Sequence, residues 1–299
     1  MVERALPHHG FERPEFERPE YIREPEPALP DLRIAAKLSP WRRLTAITAV
    51  RQVTILLLLA AIWQIYGAWL GNDLVLPSFA KTAVAFWHGV VEGPLLLRAW
   101  TSIRVLFLGY AIAIVLAVAV TLLAVASRFG NDLLSLLTAM FNPLPAIALL
   151  PLALLWFGLG EKSVIFVLVH AVLWPLALNT HTGFLGVSQT LRMAGKSFGL
   201  KGPRYALLLL VPAAFPSILT GLKIGWAFAW RTLIAAELVF GVSAGSGGLG
   251  WFIYENRNQL EIANVFAGLL AVILIGLAME SVVFRVIERI TVRRWGMQT

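Results

Sequence analysis

The sequence predicts an all-α fold, a polytopic membrane bundle of about six transmembrane helices, on three observations. Hydrophobic residues fill 58% of the 299 positions and charged residues only 14%, against roughly 25% charge in an ordinary soluble domain. The apolar residues fall in runs of about 20, the length at which a helix spans a hydrocarbon core of roughly 30 Å. The runs do not alternate, which excludes the strands of about ten residues and period two that build a membrane barrel. Backbone polar groups in lipid must then be satisfied within their own helix.

The chain divides into three stretches. Residues 1–44 are polar and proline-rich, and the unit FERPE occurs twice in tandem, at Phe11–Glu15 and Phe16–Glu20. Such a segment lacks the apolar surface that would offset chain entropy, so it is expected to be a disordered cytoplasmic tail. It has no apolar core of a signal peptide, and His8-His9 reads as a solvated pair. Residues 45–95 are expected to hold the first span and an outer linker, and residues 96–299 a core membrane domain.

The first span is expected at Val53–Leu70, after Arg42, Arg43 and Arg51. The second is expected at Ile103–Ala126. The third, Leu133–Phe157, is interrupted by Pro143, Pro145 and Pro151, and the fourth, from Val164 to Leu178 or slightly beyond, contains Pro175. Proline removes a helical hydrogen bond and kinks the helix. In a membrane it is tolerated where neighbouring protein satisfies the freed groups, so spans three and four are expected inside the bundle. The fifth is expected at Ser217–Phe240 and the sixth at Val265–Phe284.

Lys and Arg set the orientation. If the N-terminus is inside, one side collects Lys37, Arg42, Arg43, Arg51, Arg128, Arg192, Lys196, Lys201, Arg204, Arg285, Arg289, Arg293 and Arg294. The other holds Lys81, Arg98, Arg104, Lys162 and Arg257. The positive-inside rule then puts both termini in the cytoplasm. The same rule accounts for the net charge of +8 without a nucleic-acid partner. There is no cysteine, hence no disulfide framework or thiol chemistry. His170, His181 and the aromatics show no metal spacing or triad and read as packing or interfacial groups. The run GSGGLG (Gly245–Gly250) lacks the Lys-Ser/Thr of a phosphate loop and is expected to be a flexible outer loop. The chain has no nucleotide-binding motif.

Four ionisable residues, Lys223, Arg231, Glu237 and Glu280, fall within spans, where each would cost several kcal/mol facing lipid. Lys223, Trp230 and Glu237 recur every seven residues and share one helix face, with Arg231 about 100° round from Trp230. Arg231, Glu237, Lys223 and Trp230 are therefore candidates for a translocation pathway. A structural salt bridge within or between helices is the alternative for all four ionisable residues. A guanidinium presents a planar fork of donors suited to carboxylate, sulfonate or nitrate oxygens. Arg231 is expected to contact an anionic solute transiently, with Glu237 limiting how tightly it is held.

Residues 188–205 form the longest internal cytoplasmic loop. Gln189, Arg192, Met193 and Lys196 suit a short amphipathic helix, followed by a turn at Gly199 and a second short element before Pro203. By composition this is either a solvated loop or a cationic element that docks on an acidic groove. Its spacing resembles the cytoplasmic EAA motif of permease subunits in binding-protein-dependent ABC importers, which reads E-A-A, three residues, G, nine residues, I-x-L-P. Met193-Ala194-Gly195 stands at E-A-A, Gly199 at the glycine, and Leu209-Leu210-Val211-Pro212 at I-x-L-P, with all nine intervening residues. Met193 replaces the acid and Gly195 the second alanine.

The resemblance extends over residues 55–296. Val75–Ser78, the proline-rich Asn142–Ser163, Trp230–Val239, Gly247–Ile253 and Arg285–Trp295 are similar to the nitrate/sulfonate/taurine/bicarbonate branch of that family. It implies a type I ABC importer permease fold, with ATPase coupling through Met193, Ala194, Gly195, Gly199, Leu209 and Pro212. It also implies two permease copies forming a pore, an ABC ATPase dimer that binds ATP and Mg, and a solute-binding protein. The chain itself would be no enzyme, would need no cofactor, and would sit in the lipid of the bacterial cytoplasmic membrane. The competing class is a secondary transporter or channel working without an ATPase. Secondary transporters usually carry internal inverted repeats, and none is evident here. A membrane-embedded enzyme lacks a catalytic constellation.

Overall fold

A computed structural model describes residues 48–240 and 247–294. The expectations for the tail, its repeat and His8-His9, and for Gly245 and Ser246, lie outside the described residues. The chain falls into two units, residues 1–57 and 58–299. Of the first, only the opening turns of α1 (Thr48–Leu70) are described.

In chain order there follow α2 (Phe79–Val91), α3 (Leu95–Ala126), α4 (Arg128–Phe141), a 3₁₀ turn (Ala146–Leu149) and α5 (Leu150–Phe157). Next come α6 (Glu161–Leu185) and α7 (Gln189–Ser197). A single turn (Gly202–Tyr205) and a π-helical turn (Ala206–Leu210) lead into α8 (Val211–Phe240). The chain continues as α9 (Leu249–Asn258) and α10 (Ile262–Ala278), which runs on to Arg293 through π-helical segments Met279–Phe284 and Arg289–Arg293. Among the described residues five helices are long and apolar enough to span a membrane. There are six if α4 and the Ala146–Phe157 segment, bent 89° apart, form one broken span.

The departures from expectation have local causes. The helix expected from Ile103 begins at Leu95, and the two arginines of its first turns are paired. Arg98 donates to Gly247 O (2.9 Å) and pairs with Glu255, and Arg104 pairs with Glu161. Helices α2 and α9 were not anticipated. The four described residues of the glycine run are no flexible outer loop: Gly247–Gly250 are buried at the start of α9. Of the two spans expected inside the bundle for their prolines, α6 is the one buried within this single chain. Segment α4–α5 leaves Phe129, Leu136, Met140, Leu155 and Trp156 exposed on the single chain. Its break is closed locally instead, with Leu144 N–H donating to Phe141 O and Ala148 N–H to Pro145 O.

Helix α6 packs most extensively against α8 and α3. Gly221 and Gly225 lie one turn apart on α8 and let the two backbones close. A Cβ on Gly221 would stand 3.2 Å from Leu176 Cα, and one on Gly225 3.0 Å from Val172 Cγ1. Small residues at a crossing supply this kind of van der Waals association, because lipid provides no hydrophobic drive between helices. Around this seam Tyr110, Trp226, Trp230 and Phe284 form the aromatic part of the core, and Tyr110 donates to Leu222 O (2.7 Å).

Candidate functional site

The helical element at 189–199 is fastened at both ends. Ser188 caps α7, its Oγ accepting from Leu191 N–H. Arg192 turns back on the end of α6, where Nε donates to Val187 O (3.0 Å), just past the helix, and Nη2 to Phe184 O, which also accepts from Val187 N–H. At the other end Gly199 N–H donates to Lys196 O and Leu200 N–H to Gly195 O. With Gly199 at φ +75° this is a Schellman stop, which needs a left-handed residue after the last helical turn. The second element does not end before Pro203 but runs Gly202–Tyr205 and contains it: Pro203 lies in its first turn, where its missing N–H costs nothing.

Gly195, Leu209 and Pro212 explain one another. Leu209 Cδ1 occupies the space of a Cβ on residue 195, at 2.2 Å, so glycine there accepts the buried leucine. Pro212 has no N–H for Leu208 O and would crowd it. The chain widens at Ala206–Leu210, where Val211 N–H reaches back to Ala206 O. The two motif halves thus meet in one small core with Phe184, Val187 and Ala214. Met193 (56% exposed) and Ala194 remain on the outside, joined by Phe198 at 85% exposed. Phe198 was not singled out from the sequence. Its apolar ring beside Lys196 and Lys201 was the available signal.

A second feature lies where the break between α4 and α5 meets α6 and α8. It is a cavity of about 410 Å³ lined on the broken segment by Phe141–Ile147, on α6 by His170, Ala171, Trp174 and Pro175, and on α8 by Phe228, Arg231, Thr232 and Ala235. Non-helical backbone within a membrane protein persists where it is buried or lines a cavity, and this break does the latter. Arg231 is the sole charged residue of the lining. Its Nε donates to Ala227 O one turn back (3.0 Å) and its guanidinium lies 5.0 Å from the Phe228 ring centre. Among the described residues it has no acidic partner within salt-bridge distance. His170 and Trp174, taken from sequence as packing groups, belong to the same wall.

The other three candidates do not line the cavity. Lys223 donates to Glu288 (2.8 Å) and lies 4.0 Å from Glu280, and Trp230 Nε1 donates to Val272 O (3.3 Å). Both tie α8 to α10 and its extension. Glu237 is 5% exposed and stands at the N-terminus of α9. It accepts from Gly250 N–H (2.8 Å) and Ser102 Oγ (2.9 Å), while Ser102 Oγ accepts from Leu249 N–H (2.8 Å). The seven-residue face is real, but it is a seam between helices, so Glu237 does not moderate Arg231 at the cavity.

The profile of the family described as binding-protein-dependent transport system inner membrane component matches residues 109–294, well over half of the chain. The chain belongs to this family. Among its relatives, a Methanocaldococcus jannaschii protein named as an ABC transporter permease is 31% identical over 235 residues, 77% of this chain and 87% of that one. The nitrate import permease protein NrtB of Synechocystis sp. is 28% identical over 256 residues, 83% and 92% of the two chains. The taurine transport system permease protein TauC of Escherichia coli is 28% identical over 232 residues, 76% and 83%. This permease is thus a multi-pass subunit of an ABC importer, which sets aside a transporter or channel working without ATP. The matched region contains the cavity, the 189–212 element and Glu237 with Leu249 and Gly250, and leaves out α1, α2 and the start of α3 with Ser102.

Proposed function

We propose that this permease forms, with a second copy of itself, the translocation pathway for a small anionic solute, and that Arg231 is its anion contact. The observation that carries this is a guanidinium on the wall of an intramembrane cavity with no acidic partner among the described residues. An ionisable group in a span normally has a counter-charge or faces a pathway. The names of relatives that import nitrate or taurine support an anionic or zwitterionic solute. An ABC ATPase dimer docks on the face carrying Met193, Ala194 and Phe198, and binds the ATP and Mg that this chain has no motif for. A solute-binding protein delivers the solute from the opposite side. Both termini lie in the cytoplasm, and the complex resides in the cytoplasmic membrane.

The test is Arg231→Gln. Hydrogen bonds to a charged group contribute roughly 1.5–3 kcal/mol each, so uptake is expected to fall on the order of ten- to a hundredfold while the detergent-extracted complex stays assembled. A mutant complex that falls apart, yet transports normally per surviving complex, would make the arginine structural.

A further inference from the structure

We infer that the Arg231 cavity is shaped for an anion carrying a flat aromatic body, an aryl sulfonate or aryl carboxylate, and not for a bare inorganic oxyanion. This rests on the reading of Arg231 as an anion contact and adds the class of the solute's body.

Size is the first ground. At about 410 Å³ the cavity lies in the range of roughly 300–1,000 Å³ that houses organic ligands. A nitrate or a methanesulfonate held at Arg231 would leave most of the wall uncovered. The chemistry of the wall is the second. Phe141 and Trp174 lie stacked, 5.1 Å between centres and 18° apart, and His170 meets both edge-on. Phe228 closes the side nearest the guanidinium. Ring faces carry the negative lobe of the aromatic quadrupole, so they repel a naked anion and attract the edge or face of another ring. One cation with rings around it matches a solute that is charged at one end and aromatic at the other.

Unsatisfied polar atoms are the third ground. Six buried side-chain nitrogen or oxygen atoms lack a partner among the described residues, and three of them, both ring nitrogens of His170 and Nε1 of Trp174, belong to this wall. Buried polar groups in folded proteins are nearly always paired. Three orphans on one cavity mark a wall that is completed by something other than this chain. All three atoms are closed off from solvent. A ligand ring that parts Phe141 from Trp174 brings its own oxygens within their reach.

The experiment uses the permease–ATPase complex in lipid nanodiscs, with radiolabelled benzenesulfonate as the probe and methanesulfonate and nitrate as competitors. Benzenesulfonate is expected to bind saturably and at least tenfold more tightly than either competitor. Trp174→Leu should weaken it on the order of five- to tenfold, the scale of an aromatic contact, and leave methanesulfonate competition unchanged. Trp174→Phe keeps a ring and should retain most of the preference, which separates stacking from a folding defect. Equal competition by methanesulfonate or nitrate, with no effect of Trp174→Leu, would overturn the aromatic class and leave the anion pathway standing. Failure of all three anions to bind would overturn it as well, with Arg231→Gln uptake deciding the pathway separately. Benzenesulfonate binding that survives Arg231→Gln would instead remove the anion contact on which the inference rests.

Discussion

Replacing Glu237 with alanine should release α9 while leaving the rest of the bundle in place. The Glu237 carboxyl accepts from Gly250 N–H and Ser102 Oγ at 2.8 and 2.9 Å, and both donors are buried. Alanine leaves Gly250 N–H without a partner, a loss of roughly 1–3 kcal/mol for a buried donor. The Ser102 hydroxyl can rotate, so it adds no more than about 1 kcal/mol. The sum is about 3 kcal/mol, and each 1.4 kcal/mol is about a factor of ten. Hydrogen exchange reads local opening directly, so amides of residues 249–258 should exchange on the order of a hundredfold faster, with α3 and α6 unchanged. Glu237→Gln keeps a side-chain oxygen that can accept from Gly250 N–H and Ser102 Oγ and should stay within about tenfold of wild type. Unchanged exchange in the alanine variant, or a glutamine variant as labile as alanine, would refute the claim that this carboxyl anchors α9.

Further outcomes follow from the same geometry. Gly199→Val puts a β-branched residue at φ +75°, a left-handed conformation costing roughly 1–2 kcal/mol for an L-residue, and uptake should fall with the protein still inserted, as read by transport against membrane abundance. Arg192→Ala uncouples α7 from the end of α6 and should speed proteolysis within 188–205, with Arg192→Lys intermediate. Gly221→Leu drives a side chain into the Leu176 backbone, and overpacking of roughly 1–3 kcal/mol should lower the melting temperature of the extracted complex. In this cysteine-free chain, Asn72→Cys and Lys162→Cys, both at exposed positions, should react with an impermeant thiol reagent from outside intact cells, and Gly199→Cys should not. Reversed labelling would overturn the orientation.

Much of the fold could be read from the chain because one-dimensional signals set it. Apolar runs of about 20 residues become helices in lipid for want of any other backbone partner, and Pro143 and Pro145 break the third span where the bend is found. The turn at Gly199 was legible for a similar reason, since its positive φ is a property of one residue. What escaped depends on residues far apart in the chain. Arg98 looked like a loop charge until Gly247 and Glu255 came to meet it. Glu237 looked like a pathway residue because its partners, Ser102 and Gly250, sit on other helices. Helix α9 carries no strong apolar period and is held by that network. His170 and Trp174 gain meaning only when α6 is laid beside the break and α8.

The central claim is that the cavity beside Arg231 is the path of the solute, and Thr232→Cys tests it most directly. Thr232 lines the cavity one residue from Arg231, and no native cysteine competes with the introduced thiol. In proteoliposomes holding the full complex, an anionic methanethiosulfonate should label that thiol from one side without nucleotide and from the other with ATP trapped on the ATPase. Labelling from neither side, or at a rate indifferent to nucleotide, would contradict the account.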